Sequence, residues 1–165
     1  VLVCLLLPAG VLAEPAPFGL EIGKATIKEV TSKYNAKSAG TNKYSQGEMY
    51  DLDVSQLSFE GLQSARVVFS SDGKLLAILC KLPKSKFKYL FDSLKGKYKL
   101  VNSKVPFVGD TSAKFSNGNT QILLDSPHMS FEMDMNYIHN SLIKAYEAQS
   151  KAEQQQKKKR ESSQL

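Results

Sequence analysis

The residues that could do chemistry are few and scattered. Beyond the first stretch of chain the one thiol is Cys80, and the histidines are His128 and His139. A cysteine nucleophile needs a neighbouring base and a lowered pKa. Cys80 instead sits in the run Leu75-Leu76-Ala77-Ile78-Leu79-Cys80, where burial raises a thiol's pKa. It is expected to be a small, inert core residue. His128 and His139 stand 11 positions apart on either side of a predicted strand, without the paired Cys or His spacing of a zinc site. Asp110, Asp125 and His128 all fall near turns, and a hydrolase assembled from scattered residues would start with these three. Pro127-His128 reads more simply as a turn whose imidazole caps a backbone group. There is no Gly-x-Ser-x-Gly, phosphate-cradling glycine loop or dinucleotide fingerprint. The expectation is a non-enzyme with no cofactor and no metal.

The one uneven feature is charge. From Lys81 to Lys104 there are eight lysines and one acid, Asp92, a net +7 in 24 residues that exceeds the whole chain's +6. A helix predicted from Pro83 to about Lys95 puts Phe87, Leu90, Phe91 and Leu94 on one stripe. Lys84, Lys88 and Lys95 then share the opposite, outer face. Such a face suits an acidic envelope protein, an anionic lipid or lipopolysaccharide surface, although a lysine-rich helix face also serves simply to stay wet. Nucleic acid is not expected, because the segment lacks the Arg forks that read bases.

These features must be carried by a chain of 165 residues, 42% apolar and 23% charged, with a sequence pI near 9.2. That is ordinary for one folded domain and excludes a wholly disordered, collagen-like or polytopic membrane protein. Val1 to Ala13 carries no charge, is too short to span a bilayer, and ends with Val11 and Ala13 at the −3 and −1 positions of a small-residue cleavage site. It reads as the later part of a truncated secretory signal, which places the mature chain in the periplasm with Cys80 as its lone cysteine. Val3 before Cys4 does not suit a lipidation signal.

Residues 14–17 read as an extended linker, and one α+β domain is expected over 18–148. Ile27, Val30 and Tyr34 mark a first helix, ending by Asn35, with Ser38 to Asn42 as loop. Strands follow at Glu48–Val54, Ala65–Phe69 and Lys74–Leu82, the last two a hairpin about Asp72-Gly73. After the lysine-rich helix, with Gly96 as C-cap, come a strand from Tyr98 and a hairpin about Asn117-Gly118, expected as a type I′ turn. Met129 to Tyr137 alternates throughout, placing Met129, Phe131, Met133, Met135 and Tyr137 on a buried face. A long C-terminal helix carries Ile138, Leu142 and Tyr146, and residues 149–165 are a polar, basic helical extension or a frayed tail. The helix–strands–helix–strands order hints at duplication, without a residue-level repeat. The class is α+β: an antiparallel sheet with helices packed mainly on one face.

The stretch Gly19-Leu20-Glu21-Ile22-Gly23-Lys24-Ala25-Thr26 with Glu29-Val30 resembles the start of small secreted α/β envelope modules. These are the outer-membrane assembly lipoprotein family (SmpA/OmlA-like) and the β-lactamase-inhibitor-protein-like fold. More broadly the chain resembles Gram-negative periplasmic proteins. It departs from the lipoproteins in having no anchoring Cys before the mature domain. The resemblance implies a short helix on an antiparallel sheet and a non-catalytic module that binds another protein; it transfers no functional residue. The expected function is thus a periplasmic binding or envelope-accessory module, not membrane-spanning, centred on Lys84, Lys88 and Lys95.

Overall fold

The computed structural model describes residues 13–165. The signal expected over Val1–Ala13 lies, Ala13 apart, outside the described residues. Helix α1 (Ile27–Lys33) begins at a capping box. Glu29 N–H donates to Thr26 Oγ1 at 3.3 Å, and Thr26 N–H donates to the Glu29 carboxylate at 2.6 Å. The Thr26 backbone and hydroxyl donors hold the Glu29 carboxyl below its ordinary range. Four strands follow, β1 (Ala36–Thr41), β2 (Gln46–Leu52), β3 (Ser64–Ser70) and β4 (Leu75–Pro83). Then come α2 (Phe87–Lys97), β5 (Lys99–Lys104), β6 (Thr111–Asn117), β7 (Thr120–Ser126), β8 (Glu132–His139) and α3 (Asn140–Ser162).

All eight strands form one antiparallel sheet in the order β1-β2-β3-β4-β8-β7-β6-β5. That order reads the same from either edge. Each half is a helix followed by a four-stranded meander, and the halves meet where β4 pairs with β8. The duplication hinted at by element order is therefore a feature of the topology. The chain is α+β with an antiparallel sheet and a long C-terminal helix.

The principal core lies between the sheet and the two shorter helices. Val30 of α1 and Leu90 and Leu94 of α2 pack with Phe69, Ile78, Cys80, Leu82, Phe115, Ile122, Met133 and Met135. Each such side chain removed from water contributes about 1.5–3 kcal/mol before the entropy of ordering it is set against it. The continuous apolar run of β4 follows from its position at the sheet centre. Ile78, Cys80 and Leu82 join the core, while Ala77 and Leu79 face the other side. There a smaller cluster joins Val68 and Ala77 to Leu142 at the start of α3. Tyr44 of the β1–β2 turn meets Tyr146 edge-on at 5.1 Å. Beyond that contact α3 runs on, mostly exposed, to Ser162, so residues 149–165 are largely helical. Among the described residues no helix is long and apolar enough to cross a membrane.

Several local expectations are corrected. Ser38 to Asn42 is not loop: most of it is edge strand β1, whose lack of apolar alternation reflects a partner on one side and a bulge between Ser38 and Thr41. Pro83 ends β4 rather than opening a helix; a 3₁₀ turn over Lys84–Lys86 precedes α2. Gly96 lies inside α2, and the extended Tyr98 is its C-cap. The β6–β7 turn is shifted by one residue. Asn117 pairs with Thr120, and Gly118 at φ +56° is the sole central position with positive φ, the requirement of a II′ rather than an I′ turn. The reason lies in Glu14. Its carboxylate accepts from Asn119 N–H (2.7 Å), Asn119 Nδ2 (3.1 Å) and Thr120 Oγ1 (2.7 Å), and a Cβ on Gly118 would meet it at 2.5 Å. The segment expected as a free linker is thus tied to the sheet at its first residue. Met129 and Phe131, expected on the buried face of β8, precede the strand and are exposed; Met133, Met135 and Tyr137 do face the core.

Candidate functional site

Of the three lysines singled out, Lys88 and Lys95 are exposed on α2, where Lys88 Nζ bonds Asp92 Oδ2 at 2.7 Å one turn along. Lys84 is elsewhere. It lies in the 3₁₀ turn, half-buried, and its ammonium donates to the carbonyls of Pro127 (2.8 Å) and His128 (3.0 Å). A continuous face of Lys84, Lys88 and Lys95 is therefore not formed: the 3₁₀ turn rotates Lys84 away, and Asp92 sits between the other two. Of the remaining lysines in the segment, Lys81 pairs with Asp134 (3.1 Å) and Lys86 with Glu60 (3.4 Å). Lys95, Lys97, Lys99 and Lys104 make no ion pair among the described residues. All four are exposed, on the last turn of α2 and at the two ends of edge strand β5.

His128, Asp110 and Asp125 do not assemble into a catalytic group. The Asp110 carboxylate accepts from the backbone N–H of His128 at 2.8 Å, so the carboxylate caps the turn, reversing the role expected of the imidazole. Asp125 follows the alternation of β7, in which Ile122 and Leu124 face the core, and points to the opposite side of the sheet. Cys80 is 1% exposed, and burial pushes its thiol up to about 12.

The Asp110–His128 contact has a second consequence. It ties the β5–β6 loop to the β7–β8 loop at one end of the sheet, and Lys84 fixes the latter from beneath through its side chain and through its N–H to the Phe131 carbonyl (2.8 Å). On this braced end stand Val105, Phe107 and Val108 from one loop and Met129 and Phe131 from the other. Nine large apolar side chains are exposed among the described residues; these five and Val101 on β5 make up six of them. Phe107, Phe131 and Met129 are 105%, 93% and 91% exposed, so almost none of their surface is covered by the other described residues. Apolar exposure gathered in this way makes these loops the candidate site, whereas scattered single residues need no explanation. Sequence reasoning missed it because alternation placed Met129 and Phe131 inside. The available signal was Val105-Pro106-Phe107-Val108, apolar residues in a loop with no strand period.

The face of the sheet opposite α1 and α2 is mostly polar. Asp51 and Arg66 pair across β2 and β3 through two hydrogen bonds (2.6 and 2.9 Å), and this guanidinium holds the Asp51 carboxyl below its ordinary range. With Lys81, Asp134 and Asn136 they border a shallow hollow of about 680 Å³. No family model, curated protein or solved structure matches the chain.

Proposed function

We propose that this chain is a non-catalytic binding module of the periplasm that docks on an anionic membrane surface, with the Val105–Val108 and Met129–Phe131 loops entering the lipid interface. The observation that carries the reading is the concentration of exposed apolar side chains on two loops braced from below. Chemistry that holds them rigid in water, at no benefit to the fold, is understandable if something else covers them. Their exposure favours lipid: the side chains project from the two loops into solvent, as an interfacial anchor does.

The surrounding charge supports the same partner. Lys104 stands at the root of the β5–β6 loop without a carboxylate partner among the described residues, whereas Lys95, Lys97 and Lys99 lie at the opposite end of α2 and β5. Of the acids at this end, Asp110 holds His128 and Asp134 holds Lys81, while Asp125 and Glu132 share the sheet face of Lys104. Stable peripheral binding generally needs two signals, an apolar anchor and a basic group; the two loops offer the first and Lys104 the second. Each lysine near an anionic surface contributes about 1 kcal/mol, screened over about 8 Å at physiological salt.

The test is co-sedimentation with phosphatidylglycerol-rich and with pure phosphatidylcholine vesicles across a salt series. Binding to the first, weakening with salt and with charge reversal at Lys104, is the expected result. Indifference to phosphatidylglycerol vesicles at low salt refutes the reading and leaves a protein as the cover for these loops.

A further inference from the structure

A second unassigned feature lies on the polar face of the sheet, apart from the loops. Where α3 leaves β8 it does not lie flat against the strands. A hollow of about 480 Å³ remains beneath it, within the range of about 300–1,000 Å³ common to small-molecule sites. Its floor is Val68, Leu79, Leu123 and Ile138, one residue from each of four neighbouring strands. Leu142, Ile143 and Tyr146 of α3 form its wall. Six of these seven side chains are aliphatic, so an occupant's body must be apolar.

The few polar groups at the rim define the occupant's other end. Asn42 is engaged: its Oδ1 accepts from the N–H groups of Tyr44 and Ser45. Gln121 is engaged as well, its Nε2 donating to Asn140 Oδ1 at 3.1 Å. Two charged groups remain. Glu147 is exposed on α3, where water solvates it. Lys114 is half-buried on β6, directly across from Leu123 of the floor, and makes no ion pair among the described residues. An ammonium without a carboxylate partner, at the rim of an apolar floor, complements an anion held at the mouth of the hollow.

We propose that the hollow binds a single alkyl chain with a carboxylate head, the chain lying under α3 on Leu79, Leu123 and Ile138 and the carboxylate accepting from Lys114 Nζ. The site does not depend on the membrane reading: it lies on another part of the sheet and takes a free, monomeric ligand.

The experiment is isothermal titration of the whole protein with octanoate, decanoate and dodecanoate below their micelle concentrations, with dodecyltrimethylammonium as the oppositely charged probe. Affinity is expected to rise about fourfold per added methylene until the hollow is full. Lys114→Gln is expected to weaken the carboxylates about tenfold, as for loss of one charge-assisted hydrogen bond, while leaving the fold intact by circular dichroism. Amide shifts on adding dodecanoate should centre on Leu79, Leu123 and Ile143. Three results each overturn the proposal: no chain-length dependence, dodecyltrimethylammonium binding as tightly as dodecanoate, or Lys114→Gln binding dodecanoate as wild type does. Ile143→Asn serves as the second variant; if it folds and still binds dodecanoate fully, the tail does not lie under α3.

Discussion

Replacing Phe107 and Phe131 together by serine separates a functional anchor from an ordinary surface. Both rings are fully exposed, at 105% and 93%, so in the free protein they contribute almost no packing. The serine variant should therefore unfold at the same denaturant midpoint as wild type, within about 0.5 kcal/mol, the usual range for surface substitutions. The bracing contacts beneath the loops are untouched, since they run through backbone groups and through Asp110 and Lys84. On a membrane the same rings would leave water. Burying a Phe side chain contributes about 1.5–3 kcal/mol, so the pair accounts for about 3–6 kcal/mol at full insertion. At about 1.4 kcal/mol per factor of ten, even the lower figure is a loss of about 100-fold in vesicle partitioning. The assay is partitioning onto phosphatidylglycerol-rich vesicles at fixed salt beside a urea melt of the same samples. A variant that partitions within about threefold of wild type, against the about 100-fold expected, shows that the tips stay in water and refutes the reasoning. Destabilisation of about 2 kcal/mol would refute it differently, by showing that the rings support the fold.

Two further expectations concern the scaffold. Glu14→Ala removes three hydrogen bonds at the β6–β7 turn and strands the hydroxyl of Thr120, itself 1% exposed, so stability in a urea melt should fall by about 1–3 kcal/mol; no change would mean that the segment after Ala13 is not tied to the sheet. Cys80, buried and with its thiol pushed up to about 12, should resist an aromatic disulfide reagent at pH 8 until the protein opens, and labelling of the native protein at the rate of free cysteine would contradict its place in the core.

Much of the fold was legible because it rests on short-range rules. The stripe of Phe87, Leu90, Phe91 and Leu94 and the two-faced apolar run of β4 each follow from a single period, and each sits where that period puts it. The misreadings have a different origin: a partner distant in sequence decides them. Glu14 selects the turn at Gly118 from more than a hundred residues away. Lys84 leaves the α2 face because carbonyls of Pro127 and His128 are there to receive it. Strand β1 has no apolar alternation to announce it, since it is an edge strand beside a meander that is apolar enough without it. The alternation from Met129 to Tyr137 continues through the loop into the strand, so periodicity alone could not mark where burial begins. For the candidate sites the limit was sharper: an exposed Phe in a loop and a buried Phe in a strand are the same letter.

The sheet order gives these sites a common context. In each half the first-to-second and third-to-fourth strand connections emerge at one end, and because the halves run antiparallel at β4 and β8 the two ends are opposite. In the first half these are the Asn42–Ser45 turn and the tight Ser71–Lys74 turn. The chain covers them itself: Tyr146 of α3 packs on Tyr44, Lys43 reaches Glu153 at 3.5 Å, and Ile27 of α1 sits over Gly73. In the second half the equivalent connections are the loops of Val105–Val108 and Met129–Phe131. They are longer and more apolar, and among the described residues no helix packs over their tips. A polar turn could have closed either hairpin, as it does in the first half, so the apolar residues are not demanded by the topology. The two halves thus meet the same geometric situation differently: one end is covered from within the chain, and the other presents the kind of surface that a covering partner would bury. A bilayer interface fulfils that role without requiring a concave complement, whereas a protein partner would need pockets matched to two separate phenyl tips.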